Sequence, residues 1–544
     1  VGNPRGQQLT SSAMAEGGPG DAAKPGSSES ARDSDVTLRQ WIAVFGAIAG
    51  SFVAVLNIQI TNASLGDIQG ALSATLTEAS WITTAYVASS LVVMPLTGWF
   101  VRVFSVRTYV VWNMVLFMLS VVGCAMAWDL PAMIAMRFIS GFFGGALIPM
   151  SMYIVVIMLP PARRPFAFVF WGIAIAMAPS MGPALGGWLT EEFSWTLIFY
   201  VQLIPSTLVL AALLTCLDPE PRQLALLQGV NWLSIMFMAV GLLLSITVLE
   251  EGNRNDWFES QMITHFAVIS AVLLAVCLII QLFHREPYIN LRLYARRDFF
   301  LCCIVAAAFG VGVFGAQFTV SLYLIQVPQY TAGQVGNVLM WIGFPQFVSG
   351  VLVLWLVPRV DTRLLLGFGC FLYGVSCFLN INMSFDTGYW DLITINVIRG
   401  FSQPFIMVVV ATLATAPLEA ANQGSASALI NWTRDLAGAI TIAALKTGIV
   451  RRSEFHADHV SEHVAAADPE TASRLDQLTQ RFLDYTGDLQ IAEDQAVAAL
   501  NALVEREALI MAYNDMFYAI GIVFLIATAA CFLIRRPPRL GVAA

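Results

Sequence analysis

Stretches of about twenty apolar residues recur fourteen times along this chain, at 41–63, 80–100, 106–127, 131–158, 166–189, 195–216, 231–249, 262–283, 300–326, 335–356, 363–381, 390–415, 424–449 and 509–534. At about 1.5 Å per residue each is long enough to cross a hydrocarbon core of about 30 Å. In that solvent every backbone polar group must be satisfied within the protein, so segments that cross singly are helices. The predicted class is an all-α polytopic membrane protein with fourteen transmembrane helices. Composition agrees: 58% of residues are hydrophobic and 12% charged, with a mean hydropathy of +0.72.

An even number of spans places both termini on one side. Alternate loops hold Arg102, Arg107, Arg163, Arg164, Arg222, Arg285, Arg292, Arg296, Arg297, Arg359 and Arg363, and Arg535, Arg536 and Arg539 follow the last span. The short loops between them hold only Arg254. By the positive-inside rule both termini are expected in the cytoplasm. A net charge of −8 and a pI near 5.2 argue against a nucleic-acid partner. All eight cysteines fall in apolar segments, where packing rather than a disulfide framework is expected. Residues 1–40, rich in Gly, Ser, Pro and Ala, read as a disordered tail, with no cleavable signal before Trp41.

One loop is long. Residues 451–508 lie outside by this topology and carry Leu475, Leu478, Phe482 and Leu483 at helical spacing, which suggests a partner surface or a lid. His456, His459 and His463 fall within about 60° on a helix, a spacing open to a metal ion. The plainer reading is a solvated helical face, and no metal or cofactor is expected.

The run Ala176–Leu189, AMAPSMGPALGGWL, holds two prolines and three glycines. Ala174, Ala178, Gly182 and Gly186 stand four residues apart, a stripe without side-chain bulk along which another helix can come close. Pro179 and Pro183 each remove a backbone hydrogen bond and are expected to bend the helix. A transporter needs surfaces that slide and gate, and a static bundle needs only close packing; a smooth stripe serves both.

The segment Ala178–Gly187, APSMGPALGG, resembles the antiporter motif in helix five of the major facilitator superfamily. Arg137-Phe-Ile-Ser-Gly141 resembles the family's Arg-x-x-Gln-Gly in helix four, with Ser140 for Gln. Gly98-Trp-Phe-Val-Arg102 and Arg107 resemble its Gly-x-x-x-Asp-x-x-Gly-Arg-Lys loop without the Asp and the second Gly. Fourteen spans, the long outward loop, LYLIQ at 322–326 and ALINWTRDLAG at 428–438 resemble the drug:proton antiporter branch typified by EmrB. The resemblance runs from about Trp41 to Arg535.

That resemblance implies two six-helix bundles, 41–216 and 299–534, with an extra helix pair within 231–283 and substrate held between the bundles. The charged run HREPYINLRLYARRD that follows the pair is expected along the membrane surface. Pro179, Gly182, Pro183, Gly186 and Gly187 become gating residues. Arg137 takes the place of an arginine that shares in proton coupling. Its usual helix-one partner is the Asp of Leu-Asp-Thr-Thr, and here the chain reads Leu56-Asn57-Ile58-Gln59, so Asn57 can only hydrogen-bond.

Asp435 is the candidate replacement, about 16 Å into its helix and close to the midplane. Desolvation there disfavours its charged form and the adjacent Arg434 favours it, although neighbours about 100° apart need not pair directly. The alternative for Asp435 is a fixed ion pair locking its helix to a neighbour through Arg399. Asp515 is either a further proton site or a helix-entry residue.

Asn57, Gln59, Asn62, Trp81, Tyr86, Gln317, Gln346 and Asn431 are the candidates for a large, mostly apolar pocket suited to amphipathic organic molecules. Each taken singly also reads as an interhelical hydrogen bond. The implied function is proton-coupled efflux from a bacterial inner membrane, with a periplasmic membrane-fusion adaptor and an outer-membrane channel as partners. A sensor or scaffold on the same fold, or uptake by proton symport, stays open. Nothing suggests an enzyme, and no G-x-x-x-x-G-K-[ST] loop points to ATP.

Overall fold

The computed structural model describes residues 36–535 except 220, 228, 285–286, 416–417, 419 and 465–468, so the tail expected at 1–40 lies outside the described residues as far as residue 35. The elements among the described residues are helical. The first half holds α1 (Leu38–Ala63), α2 (Leu76–Phe104), α3 (Val106–Ala125), α4 (Leu130–Met158), α5 (Arg164–Glu192) and α6 (Leu197–Cys216, broken at Val201 and Gln202). A pair follows, α7 (Trp232–Glu251) and α8 (Gln261–Phe283). The second half holds α9 (Arg297–Gln326), α10 (Ala332–Leu356, broken at Trp341–Gly343), α11 (Thr362–Asn382), α12 (Tyr389–Thr415), α13 (Ala420–His463), α14 (Pro469–Thr486) and α15 (Leu489–Cys531).

Thirteen helices among the described residues are long and apolar enough to cross a membrane. Arg434, Asp435 and Lys446 make α13 too polar to join them by composition, although it runs unbroken through the expected crossing at 424–449, the thirteenth of the fourteen. Helix starts follow local chemistry. Thr75 and Glu78 form a reciprocal capping box at α2, Thr331 and Gln334 another at α10, and Asp129 caps α4 ahead of Pro131. Large apolar side chains such as Leu119, Ile204, Leu208, Phe283 and Val351 stand exposed, as lipid-facing residues must.

The arginine-rich ends are held together. Arg39 pairs with Asp218 at 2.7 Å, Arg107 donates to the Leu214 carbonyl at 2.8 Å, and Arg297 and Arg363 donate to the carbonyls of Leu533 and Ile534. α1 packs on α4, α5 and α6, and α2 on α4; α11 packs on α12 and α15, and α13 on α9 and α15. α5 meets α10 and α12 across the molecule, and α13 meets α2 and α4.

The long connection at 451–508 is helical over nearly all its described residues, as the spacing of Leu475, Leu478, Phe482 and Leu483 suggests. α13 continues to His463, about 21 Å past its crossing, and α15 starts at Leu489, about 30 Å before its own. α14 packs along α15 without a fully buried residue. Helical periodicity simply persisted through a polar sequence. In the charged run after α8, Tyr288, Ile289 and Leu293 are buried against the protein while Arg292 and Arg296 stand exposed, and the Tyr294 hydroxyl lies 2.7 Å from Thr433 Oγ1 on α13.

Candidate functional site

α5 lies between smooth surfaces. A Cβ placed on Gly182 would stand 2.3 Å from Gln59 Cβ of α1, and one on Gly186 would stand 2.8 Å from the Ile60 carbonyl oxygen. The other side of α5 meets α10, where a Cβ on Gly336 would stand 2.4 Å from the Ala184 nitrogen and one on Gly187 3.1 Å from the Gly333 nitrogen. Both contacts bring backbones together because no side chain intervenes. α5 remains helical through Pro179 and Pro183. At the arginine-rich end Gly98 of α2 packs on the backbone of Gly424 and Ser425 in α13. The two halves therefore touch near both faces.

Arg137 sits inside the first half, fully buried on α4, and Gly141 and Gly145 let that helix close on Tyr86, Ser89 and Ser90 of α2. Its Nη1 donates to Asn57 Oδ1 at 2.5 Å and its Nε to the Ile82 carbonyl at 3.3 Å, while the guanidinium lies 4.4 Å from the centre of the Tyr86 ring. Asn57 Nδ2 donates to Gln202 Oε1 at 2.9 Å, and the Tyr86 hydroxyl to the Ala54 carbonyl. The cation is held by neutral acceptors and a ring face, with no ion pair to a described residue. Asn57 occupies the position from which a carboxylate would face Arg137.

The second half has its own buried arginine. Arg399 on α12 donates to Ser376 Oγ at 3.4 Å and Asn396 Oδ1 at 3.3 Å. It makes no contact with Asp435, so the lock through Arg399 is not present. Asp435 instead accepts directly from Arg434 Nε at 2.6 Å. The flexible arginine side chain bridges the angle between the adjacent positions, which overturns the expectation that the two need not pair. Arg434 is buried and Asp435 is 14% exposed.

Opposite them α9 widens into a π-helical turn, Val311–Ala316, which sequence periodicity did not reveal. A Cβ on Gly310 would fall 2.0 Å from the Arg434 carbonyl oxygen, and one on Gly438 would strike the Phe314 ring. Directly after the turn, Gln317 is buried with neither side-chain polar atom paired. Asn431, one turn before Asp435, donates to the Ser427 carbonyl at 2.9 Å and approaches Met152 Sδ of α4 at 3.5 Å, leaving Oδ1 unpaired. Polar groups with unused capacity thus stand on both α9 and α13, Asn431 one turn from the ion pair and Gln317 farther along α9, beyond the stretch that faces Thr441.

The eight substrate candidates do not form one set. Asn57 and Tyr86 belong to the Arg137 cluster. Asn62 donates to Gln59 Oε1 at 3.3 Å and accepts from Thr83 at 2.8 Å. Gln346 donates to Gln403 Oε1 at 3.2 Å, and Trp81 is half-buried on α2. A cavity of about 480 Å³ at the arginine-rich face and one of about 280 Å³ near Leu379–Ile395 are lined by none of the eight. With the halves in contact near both faces, residues expected around a shared pocket bond to nearer neighbours.

Asp515 is not at a helix entry. It lies inside the unbroken α15, where its Oδ2 accepts from Arg452 Nε at 2.6 Å and lies 2.7 Å from His456 Nε2, both on α13. His459 stacks on Phe455, and the His463 side chain lies outside the described residues. His456 is therefore engaged with a carboxylate, and no group of three or more His, Cys, Asp or Glu among the described residues could hold a metal ion.

Comparison with known proteins places this arrangement. The model of the Major Facilitator Superfamily matches residues 47–442. The colistin resistance protein EmrB of Acinetobacter baumannii is 27% identical over 91% of this chain and 96% of its own length. The multidrug export protein EmrB of Escherichia coli is 26% identical over 90% and 94%, and the fatty acid resistance protein FarB of Neisseria gonorrhoeae 24% over 89% and 94%. Among solved structures, the human organic anion transporter MFSD10 matches with a TM-score of 0.55 at 14% identity, covering 89% of this chain and 99% of that one. At that identity the likeness speaks for the fold alone.

Proposed function

The chain belongs to the major facilitator superfamily, and from that membership we propose that it is a proton-coupled secondary transporter, not an enzyme, exporting amphipathic organic compounds across a bacterial inner membrane. The observation that carries the reading is α5, whose side-chain-free faces meet α1 within one half and α10 in the other. A contact of backbones between halves can part and re-form without repacking interdigitated side chains, which is what alternating access requires. Relatives named for colistin, multidrug and fatty acid resistance support amphipathic cargo.

In this reading residues 41–216 and 299–534 are the two bundles, 231–283 the added pair, and both termini are cytoplasmic. Asp435 is the proton carrier. Protonation neutralises its carboxylate and releases Arg434; loss of the proton restores the pair. Neighbouring Gln317 and Asn431 offer cargo contacts once the halves separate. The helical projection of α13, α14 and α15 supplies a surface for a periplasmic adaptor leading to an outer-membrane channel. A sensor or scaffold is the second reading, favoured by Asn57, which leaves Arg137 without a carboxylate partner. Purified protein in liposomes decides between them. Uphill movement of a lipophilic cationic dye on an imposed pH gradient, abolished by an uncoupler, supports the transporter; equilibrium dye binding without gradient-driven movement supports the sensor.

A further inference from the structure

The cavity of about 480 Å³ at the arginine-rich face is built from four separate segments: the end of α2, the connection from α6 to α7, residues 287–296, and the first turns of α13. Three guanidinium side chains line it, Arg102, Arg292 and Arg296. No acidic side chain among the described residues joins them, in a chain whose net charge is −8. Arg292 spends one donor on the Leu282 carbonyl at 3.3 Å; Arg102 and Arg296 form no ion pair with a described residue. Asn290 and Asn422, bonded to each other at 2.9 Å, add amide groups to the wall. Trp99, Leu226 and Leu293 make the remainder apolar.

Three like charges lining one space repel, weakly while water screens these exposed side chains, and an anion bound among them turns that repulsion into attraction. A guanidinium presents paired donors matched to the oxygens of a phosphate group, and a cavity that is cationic on one wall and apolar on another suits a phosphate carrying a carbon stem. We propose that this cavity binds a phosphate-bearing anion, either the headgroup of an anionic phospholipid or a soluble phosphate or phosphate ester. The ligand spans Arg102 of α2, the arginines of the 287–296 segment and the start of α13, where Gly98 and Gly424 already bring the two halves together. Its occupancy favours closure of this end of the molecule.

The test uses the full chain in detergent and the arginine-selective reagent phenylglyoxal, with modification read residue by residue from peptide masses. A bound ligand slows reaction by one plus its concentration over its dissociation constant, so about tenfold protection is expected at about ten times that constant. Protection of Arg102, Arg292 and Arg296 by millimolar inorganic phosphate, against sodium chloride of equal ionic strength, supports a soluble ligand. Protection only in mixed micelles containing phosphatidylglycerol, and not phosphatidylcholine, supports a lipid. Equal reaction in every condition, or equal protection of the exposed Arg163, overturns the proposal. As an independent measure, phosphatidylglycerol raises the unfolding temperature of the wild type and of Arg163→Gln, and the rise is lost in Arg102→Gln with Arg296→Gln. A rise unchanged in that double variant also overturns it.

Discussion

Adding one methyl group at Gly182 separates the two meanings of a smooth helix. The new carbon would lie 2.3 Å from Gln59 Cβ and 3.0 Å from the Gln59 carbonyl carbon. Carbon atoms settle at about 3.5–4.0 Å, so α1 and α5 must part by roughly 1.2 Å or more along a long shared interface. Overpacking of this kind costs about 1–3 kcal/mol, and the backbone atom cannot swing aside as a side-chain tip would. Gly182→Ala is therefore expected to lose about 2–3 kcal/mol of stability, and Gly182→Leu to abolish transport while the chain still inserts. Gly66→Ala is the control, since nothing lies within 4 Å of its added carbon. Gly336→Ala meets the Ala184 nitrogen at 2.4 Å, but that contact joins α10 to α5 across the halves, which can relieve the clash by separating. It should leave thermal stability near wild type and lengthen the distance between spin labels at Glu192 and Gln329. Unfolding in detergent, dye movement in liposomes and the label distance are the assays. If Gly182→Ala matches Gly66→Ala in both stability and transport, the close seam does not exist as described.

Other expectations are equally direct. Asp435→Asn keeps the volume and removes the titratable group, so it should stop gradient-driven efflux in liposomes while equilibrium dye binding persists; uphill transport by the variant removes Asp435 from the mechanism. Ser105 holds φ 69° and ψ 154°, a backbone region that is essentially glycine's own, so Ser105→Gly should stabilise the protein by about 1 kcal/mol after the greater entropy loss of glycine is counted; an unchanged or lower unfolding temperature refutes the strain. Deleting 458–500 should abolish whole-cell resistance but spare transport in liposomes if the projection docks an adaptor, whereas loss in liposomes marks it as a lid; undiminished co-purification with the adaptor refutes docking.

The crossings were legible because the bilayer forces them: an apolar run of sufficient length has one way to satisfy its backbone, and periodicity adds little to that. What happens outside the bilayer follows weaker rules. α13 and α15 run on past their crossings because Arg451 to His463 and Leu489 to Ala508 contain no Gly or Pro to stop a helix, a signal that reading by hydropathy passes over. The π-helical turn in α9 is a tertiary product. Gly310 just before it admits the Arg434 carbonyl and Phe314 within it packs on Gly438, but nothing in its own residues, VGVFGA, demands a wider turn.

The site was legible in its residue types and less so in its pairings. Counted from Gly98, the family's loop pattern would place its Asp at Arg102 and its second Gly at Ser105, and both departures have structural consequences. Ser105 adopts a positive φ, a backbone region that glycine occupies without strain. Arg102 reverses the charge on the wall of a cavity that Arg292 and Arg296 also line. On helix one, likewise, Asn57 keeps the position of the expected Asp without its charge: Oδ1 accepts from Arg137 as a carboxylate would, while Nδ2 donates to Gln202 Oε1, a bond an ionised Asp cannot make. The chain thus replaces carboxylates at two places where cations remain. A buried guanidinium can be stabilised by amides and an aromatic face, as Arg137 is. The open cluster of three has no such internal partner among the described residues, and water screens its charges until an anion binds there.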